Sequence, residues 1–341
     1  MATRFVIVGA GAIGCHVGGR LAAAGEQVVF VARRRIADAL EGHGLVVSDL
    51  DGFRAALEPR CFVAVDTVAE AAAGGQPSFV LLCTKGGATV TAAGEIGAAF
   101  AQGTPILSLQ NGIDNGDRIR SAAPGCQALA GMVPFNVVLT TGSDGRLTAH
   151  RATSGQLYAE DHVACRSVEA AFARAGLPLK LAADMAAVQW GKLLLNLNNP
   201  VNALAGLPLR EELLDAGYRR VLAALQDEAL DVMRKAGIRP AKVGAAPPRL
   251  IPTILRLPTW AFSRIAASML KIDSSARSSM WDDIHAGRTT EIDDLCGAIV
   301  RLATAHGLTA PKNAAMADLV KHPGGSRRYS GPDLLQRLHQ P

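Results

Sequence analysis

The sequence is poor in aromatic and charged residues. Of its 341 residues, aromatic residues make up 4% and charged residues 19%, whereas hydrophobic residues make up 49%. This composition is typical of a folded globular chain, and the length predicts about two domains. The net charge is +5 and the basic residues are scattered, so the composition does not favour a nucleic-acid-binding protein and suits small anionic ligands.

The chain also lacks the spacings typical of metal sites, disulfide frameworks and membrane spans. Its eight histidines show no metal-ligand spacing, and its six cysteines form no Cys-x-x-Cys pair. We therefore expect no metal, and buried free thiols in a reducing cytoplasm. No apolar run approaches the ~18 residues of a membrane span, and the N-terminal run is too short for a signal peptide. We expect a cytoplasmic protein with no membrane and no nucleic-acid partner.

The segment 4–14 predicts a buried strand, a tight turn and the start of a helix. Three glycines follow the apolar strand with the spacing Gly-x-Gly-x-x-Gly, and a helical pattern over 16–24 ends at Gly25 as a C-cap. This order is typical of a dinucleotide site, where the glycines allow the turn, the approach of a pyrophosphate and close helix packing. The residues predicted to bind the cofactor here are Gly9, Ala10, Gly11, Ala12, Ile13 and Gly14. The alternative is a glycine-rich turn that binds nothing.

The residue that ends the second predicted strand indicates which nicotinamide cofactor is preferred. Residues 27–32 form an apolar run, and Arg33, Arg34 and Arg35 follow it without an acid. In dinucleotide-binding folds an acid at this point bonds the ribose 2′-hydroxyl, whereas an arginine accommodates a 2′-phosphate. The sequence therefore predicts NADP(H), with a solvated basic turn as the alternative.

The first half of the chain continues as alternating strands and helices. Residues 45–65 predict a β excursion with a hairpin turn at Asp51-Gly52. Two buried strands, over 78–84 and 105–110, end at Lys85 and Asn111. Open α/β sheets bind ligands at the carboxyl ends of strands, so we expect both side chains to face the cofactor or substrate. Alternatively, Lys85 is a surface lysine and Asn111 a turn residue.

The pattern changes from strands to long helices near residue 184. Before it, strands near 127–139 and 145–158 are predicted to complete the sheet; after it, helices are predicted over 185–199, 210–236 and 290–305. We predict an NADP-binding α/β domain over 1–183 and a helical substrate domain over 184–341. Residues 258–271 predict an inserted amphipathic helix, and the last ~20 residues form either an ordered extension or a loose tail.

Polar side chains in the second half fall where a plain helical bundle would not need them. Lys192, Asn196 and Asn199 fall at i, i+4 and i+7 of a leucine-rich helix, so we predict that they share one face. A lysine on a largely buried helix needs a partner or a task. Further on, Thr290 is predicted to cap a helix with Glu291 in its first turn, where the helix dipole alone also favours an acid.

Together these motifs resemble the ketopantoate reductase (2-dehydropantoate 2-reductase) family over nearly the whole chain. The matching pieces are Gly9–Gly14, Thr84-Lys85, Gln110-Asn111-Gly112, Lys192-x-x-x-Asn196, Ser278-Ser279-Met280 and Thr290-Glu291-Ile292-Asp293. The glycine motif is shared with many dehydrogenases, whereas the last three in this order are much more specific. The resemblance implies a Rossmann-type α/β N-terminal domain, an all-α C-terminal domain with 6-phosphogluconate-dehydrogenase-like helices, and an active site in the cleft between them.

The resemblance also implies an activity and a role for each matching residue. It implies NADPH-dependent reduction of 2-dehydropantoate to pantoate, in pantothenate biosynthesis, with Lys192 as proton donor. Glu291 would be the second catalytic residue, near the nicotinamide, and would help hold Lys192 in its charged form. Lys85 and Arg33 would contact the cofactor, as would Asn111 and Glu291. The substrate-binding residues that it implies are Asn111, Lys192, Asn196, Asn199 and Ser279.

Two features depart from the family pattern. The family runs Lys-x-x-x-Asn-x-x-x-Asn-Pro, and here the segment before Pro200 is one residue shorter, which leaves the substrate contact of Asn199 open. The stretch over 258–271 is also longer than in compact members. Two other functions therefore stay open: an NADP-dependent reductase of another branched or bulky 2-oxo acid, and a non-catalytic NADP(H)-binding regulator. The sequence does not decide the oligomeric state, with a homodimer as one alternative.

Overall fold

The chain forms two compact units, Met1–Met185 and Ala186–Pro341. The structure is a computed structural model, and it describes residues 2–244, 246–267, 270, 276–322 and 328–339. The first unit is an α/β structure. Its strands are β1 Arg4–Val8, β2 Gln27–Val31, β3 Leu45–Asp49, β4 Arg54–Leu57, β5 Val63–Val65, β6 Phe79–Leu82, β7 Pro105–Ser108, β8 Gln127–Met132, β9 Val137–Thr141, β10 Leu147–Arg151, β11 Tyr158–Glu160 and β12 Lys180–Ala182. Its helices are α1 Ala12–Ala23, α2 Arg34–His43, α3 Val68–Ala73, α4 Thr89–Ala99, α5 Asn115–Ala122 and α6 Val163–Arg174.

The main sheet has the strand order β12-β11-β8-β7-β6-β1-β2-β5. β1 pairs in parallel with β2 and β6, with Val8 opposite Val31 on one side and Leu82 on the other. Successive residues of β1 pack into two different hydrophobic clusters, one on each face of the sheet, which explains its uninterrupted apolar run. The chain runs from β1 outward to β5 and returns to β6 beside β1. This reversal is the switch point at which open α/β sheets bind ligands.

The other four strands form a separate sheet with the order β4-β3-β10-β9. The predicted hairpin is confirmed, since β3 and β4 pair antiparallel and Gly52 between them has φ +93°. The prediction that the strands over 127–139 and 145–158 complete the main sheet is wrong for β9 and β10. Only β8 and β11 join the main sheet, whereas β10 pairs in parallel with β3 and antiparallel with β9. The alternating burial of β10 fits this sheet, which packs on one face.

Helix α1 packs against both sheets. A Cβ at Gly18 would lie 2.4 Å from Phe30 of the main sheet, and a Cβ at Gly19 would lie 2.5 Å from Val47 of the small one. The buried Arg20 donates to Asp49 of β3 at 2.9 Å. The helix begins at Ala12, four residues earlier than predicted, and its C-cap is the residue before Gly25.

The second unit contains helices and, among the residues described, no strand. Its helices are α7 Met185–Asn196, α8 Asn198–Ala205, α9 Leu209–Leu214, α10 Ala216–Lys235, α11 Ile251–Leu255, α12 Thr259–Ile265, α13 Ser279–His285, α14 Cys296–Ala305, α15 Pro311–Lys321 and α16 Gly331–Leu338. The long α10 packs against α8, α9, α11, α14, α15 and α16. Within the described ranges, no helix combines the length and the apolarity that a bilayer crossing requires.

Each of the three long helices predicted in the second unit is shorter or interrupted. The helix over 185–199 ends at Asn196 and restarts at Asn198, because Pro200 has no N–H to donate to the carbonyl four residues earlier. The helix over 210–236 breaks at Asp215, whose carboxylate caps α10 by accepting from Gly217 N at 2.6 Å. The third begins only at Cys296, after a 3-10 turn over Ile292–Asp294, so Thr290 is not its cap.

The segments with the least regular sequence fold as short helices. The stretch predicted as an inserted amphipathic helix contains α12, which buries Phe262 and leaves Trp260 72% exposed; its end at Lys271 lies outside the described residues. In the described part of the last ~20 residues, α16 packs against α10 and α15 and is therefore ordered. Residues 323–327 and 340–341 lie outside the described residues. All six cysteines are free, and Cys61 is exposed rather than buried as predicted.

Candidate active site

The glycine loop lies between β1 and α1, and the predicted strand, turn and helix are confirmed. Gly9 has φ +102°, and a Cβ there would lie 2.7 Å from Thr84 N at the end of β6. A Cβ at Gly14 would lie 2.2 Å from Gly9 O, so the helix packs on the turn itself. Gly11 has nothing within 4 Å of its Cβ position and caps α1 without a side chain. The loop therefore offers open backbone and free helix N–H groups to an anion.

Three other predicted residues follow the strands that neighbour this loop. Arg33 comes after β2 as the N-cap of α2, Lys85 comes after β6, and Asn111 comes after β7. The four strands β7, β6, β1 and β2 are consecutive and parallel in the sheet. Their carboxyl ends share one edge, so the structure brings Arg33, Lys85 and Asn111 to the same edge as the glycine loop.

The arginine run after β2 divides into paired and unpaired members. Arg34 lies 3.0 Å from Asp66 and 3.0 Å from Asp38, which occupies its guanidinium with carboxylates. Arg33 and Arg35 are exposed and form no ion pair with any residue that the structure describes. Two guanidinium groups at the end of β2 are thus available to an anionic ligand.

A buried polar network, which the sequence did not reveal, fixes the ends of β6 and β7. Gln110 Nε2 donates to Thr84 O at 2.9 Å and lies 2.8 Å from Thr89 Oγ1. Asn115 Nδ2 donates to Asn111 O at 2.7 Å. The sequence identifies Gln110 only as part of the Gln110-Asn111-Gly112 motif. Because its amide ties two neighbouring strand ends to α4, it positions the backbone from which Lys85 and Asn111 project.

Lys192 lies on α7 in a largely buried setting. Burial lowers the pKa of its ammonium from 10.5 to about 8. Burial is the only cause of this shift. Asn196, one turn further on, is 8% exposed, and Gln226 Nε2 donates to Leu194 O at 2.9 Å, which ties α7 to α10. The lysine therefore lies on a helix that is fixed by packing and hydrogen bonds, and its pKa is close to neutral pH.

The single helix predicted to carry both Lys192 and Asn199 is wrong, because Asn199 belongs to α8; that the two side chains share a face stays a prediction. Its carbonyl accepts from Ser278 Oγ at 3.2 Å, and Ser278 Oγ also accepts from Trp281 N at 3.2 Å as the N-cap of α13. Ser278 is 2% exposed, whereas Ser279, the residue predicted to bind substrate, is exposed at the first position of α13. The structural role of Ser278 was missed, although a serine before a helix is the usual signal for a cap.

Glu291 is half-buried and immediately precedes the 3-10 turn over Ile292–Asp294. Its placement near the nicotinamide stays a prediction. Among the described residues, no three histidine, cysteine, aspartate or glutamate side chains form a group that could hold a metal ion.

A glycine-loop α/β unit followed by a helical unit is the architecture of many nicotinamide-dependent oxidoreductases. Comparison with known proteins narrows this class. Residues 5–162 match the family described as ketopantoate reductase PanE/ApbA, and residues 184–323 match its C-terminal domain. The chain therefore belongs to the ketopantoate reductase family. It is accordingly an oxidoreductase that uses a nicotinamide cofactor and a small-molecule substrate.

The individual relatives are of modest identity but cover nearly whole chains. The 2-dehydropantoate 2-reductase of Pyrococcus horikoshii is 28% identical over 93% of this chain and 96% of its own length. That of Halobacterium salinarum is 26% identical, covering 93% and 98%. A PanE/ApbA family ketopantoate reductase from Ralstonia eutropha superposes with a TM-score of 0.76 at 28% identity, covering 98% of this chain and 100% of that one. A D-mandelate dehydrogenase solved with NADH and anilino(oxo)acetate shares the fold, with a TM-score of 0.72 at 19% identity, covering 93% and 97%.

Proposed function

We propose that the protein reduces 2-dehydropantoate to pantoate with NADPH, as a cytoplasmic step of pantothenate biosynthesis. The observation that carries the proposal is Lys192, a lysine with a pKa of about 8 on a buried helix, in register with the buried Asn196. A general acid works best when its pKa lies near the working pH, since it holds a proton and also releases it readily. Residues 1–183 would bind the cofactor and residues 184–341 would supply this acid.

The cofactor specificity rests on the edge that follows β2. When bound, NADPH supplies a hydride to C2 of the 2-oxo acid. The glycine loop, with open space at Gly11 and unpaired N–H groups at the start of α1, would hold the pyrophosphate. Arg33 would bind the 2′-phosphate, which NADH lacks, because its guanidinium is exposed and unpaired among the described residues.

The protein's own contribution to the chemistry is charge and orientation. As negative charge develops on the keto oxygen, the Lys192 ammonium would stabilise it and then transfer a proton from Nζ, giving the alcohol and a neutral lysine. The lysine regains its proton from water before the next turnover. Asn196, Ser279 and Asn111 would donate to or accept from the carboxylate and the terminal hydroxyl of the substrate.

A second candidate is the reduction of another branched or bulky 2-oxo acid. The separation of Asn199 from α7 favours it, since one amide that the family pattern places on the lysine's helix face lies instead on the next helix. A site built for a hydroxyl discriminates strongly against a substrate without one, because its polar groups are then left unpaired.

The test is oxidation of NADPH measured with 2-dehydropantoate, its des-hydroxy analogue and a panel of bulkier 2-oxo acids. We expect the highest kcat/KM for 2-dehydropantoate, and a kcat that falls as the pH rises through about 8, where Lys192 loses its proton. A higher kcat/KM for another 2-oxo acid would support the second candidate. Tight NADPH binding without turnover of any 2-oxo acid would indicate a regulator.

A further inference from the structure

A carboxyl group in the second unit is fully buried without a cation. Glu212 on α9 is 0% exposed, and its Oε2 accepts from Asn198 Nδ2 at 3.0 Å. Two oxygens of this pair, Glu212 Oε1 and Asn198 Oδ1, are buried and have no partner among the residues described. If Glu212 is ionised, both oxygens can only accept hydrogen bonds. Neither then has a donor, and two buried acceptors are left unsatisfied.

The surroundings of this carboxyl favour its neutral form. Burial raises the pKa of Glu212 from 4.5 to about 8, and the negative charge of Asp215 acts in the same direction. The hydrogen bond from Asn198 and a smaller influence of the Asn202 amide, which itself donates to Leu207 O at 3.0 Å, oppose the shift only in part. Tyr218 of α10 is a further titratable group that interacts with Glu212, and its own pKa is raised by burial and by the charges of Asp215 and Glu212.

We propose that Glu212 is a neutral carboxylic acid in the working enzyme and that its hydroxyl donates to Asn198 Oδ1. This acid–amide pair positions the first residues of α8 and, through them, the start of α13, where Ser279 would bind the substrate. One proton on Oε1 supplies a donor for Asn198 Oδ1, and the two unsatisfied oxygens then satisfy each other. The pair becomes a ring of two hydrogen bonds, N–H to oxygen in one direction and O–H to oxygen in the other.

The pair acts on the substrate side through helix α8. Asn198 is the first residue of α8, and Asn202, one turn later, accepts from Ser278 N at 2.9 Å. Between them, the Asn199 carbonyl accepts from Ser278 Oγ. The start of α13 is thus bonded to α8 at two points, and Ser279 follows directly. Glu212 is therefore a positioning residue, and this part of the inference rests on the proposed role of Ser279.

The proton is tested by comparing Glu212→Gln with the wild type across pH. A carboxyl with a raised pKa keeps in the native state a proton that the unfolded chain releases, so the wild type loses stability between pH 4.5 and about 8. The equilibrium constant for folding falls by up to about tenfold for each pH unit in this range. Glutamine does not titrate and mimics the neutral acid. We expect the difference in melting temperature, Glu212→Gln minus wild type, to increase steadily from pH 5.5 to 8.

A matched control and a spectroscopic measurement complete this test. Glu211→Gln, at the exposed neighbouring position of α9, should show a constant offset from the wild type over the same pH range. The infrared difference spectrum of wild type minus Glu212→Gln at pH 6.5 should contain the carbonyl band of a protonated carboxyl. Parallel melting curves and the absence of that band would show that Glu212 is ionised, and would overturn the inference.

The positioning role is tested with Asn198→Ala, which removes the amide half of the pair. We expect at least a tenfold rise in KM for the 2-oxo acid, with the Kd for NADPH changed less than twofold, and faster amide hydrogen exchange over residues 277–285. Glu212→Gln should retain the wild-type KM and exchange. Unchanged exchange in Asn198→Ala would refute the positioning role, and this readout holds even if the wild type reduces no 2-oxo acid and the proposed function fails.

Discussion

Replacing Lys192 by methionine should make the protein more stable and nearly inactive at the same time. Methionine keeps the volume of the apolar stem and removes the ammonium. A pKa lowered from 10.5 to about 8 means that the folded protein holds the charged form at a cost of about 3 kcal/mol at neutral pH. We expect Lys192→Met to recover this amount, on the order of 5–10 °C in melting temperature for a unit of this size.

The pH dependence of the gain identifies its cause. Between pH 8 and 10.5 the native protein has released the lysine proton and the unfolded chain still holds it, so the wild type becomes more stable as the pH rises through this window. The advantage of Lys192→Met should therefore be largest near pH 7 and nearly absent near pH 10.5. Lys235→Met, at a half-exposed lysine paired with Asp231, is the matched control and should change stability by less than ~0.5 kcal/mol at either pH.

Turnover supplies the second half of the test. Loss of one general acid or oxyanion donor should lower kcat for the 2-oxo acid by at least ~100-fold. The Kd for NADPH, measured by fluorescence titration, should stay within a few fold. The reasoning is refuted if Lys192→Met is less stable than the wild type at pH 7 with a difference independent of pH, because the ammonium would then be well paired. Survival of turnover would make the lysine structural.

Three further predictions concern the cofactor and the substrate. Arg33→Ala should raise KM for NADPH far more than for NADH, by the ~1.5–3 kcal/mol of a charge-assisted contact; equal effects in steady-state assays would show that Arg33 does not bind the 2′-phosphate. Gly11→Ala should lower the affinity for NADPH without lowering the melting temperature. Gly14→Ala, whose Cβ would lie 2.2 Å from the Gly9 carbonyl oxygen, should lower both the affinity for NADPH and the melting temperature. Ser279→Ala should narrow the difference in kcat/KM between 2-dehydropantoate and its des-hydroxy analogue; an unchanged ratio would place the substrate hydroxyl elsewhere.

Features defined by neighbouring residues in the chain were predictable from the sequence. The strand, turn and helix around Gly9 and the hairpin at Gly52 both depend on a few consecutive residues, and both are confirmed. The sheet to which β9 and β10 belong was not predictable, because β-branched residues such as Val137 and Val138 favour a strand without specifying its partner. Strand partners are chosen by contacts distant in sequence, here those between β10 and β3.

In the candidate site, the types of residue were easier to predict than their relative positions. Helical periodicity placed Lys192 and Asn196 on one helix, but the same counting extended that helix to Asn199. The helix breaks earlier because the following Pro200 removes a hydrogen bond, and Asn199 belongs to the next helix. The proline was visible in the sequence and is the signal for the break. The polar network around Gln110 and the pairing of Glu212 with Asn198 join distant segments, so no local pattern could reveal them.

The position of helix α1 between two sheets has a consequence for the order in which the chain folds. In the small sheet, Leu45 pairs with Leu147, which lies about a hundred positions later in the chain. One of the two sheets that α1 packs against is therefore incomplete until that later segment is present. Closing so large a loop is slow compared with forming a helix or a hairpin. During synthesis, the complete glycine motif therefore emerges from the ribosome long before its helix has both neighbours, and Gly18 and Gly19 leave that helix weak on its own. Dinucleotide affinity should consequently be acquired late in synthesis, only after β10 has paired with β3.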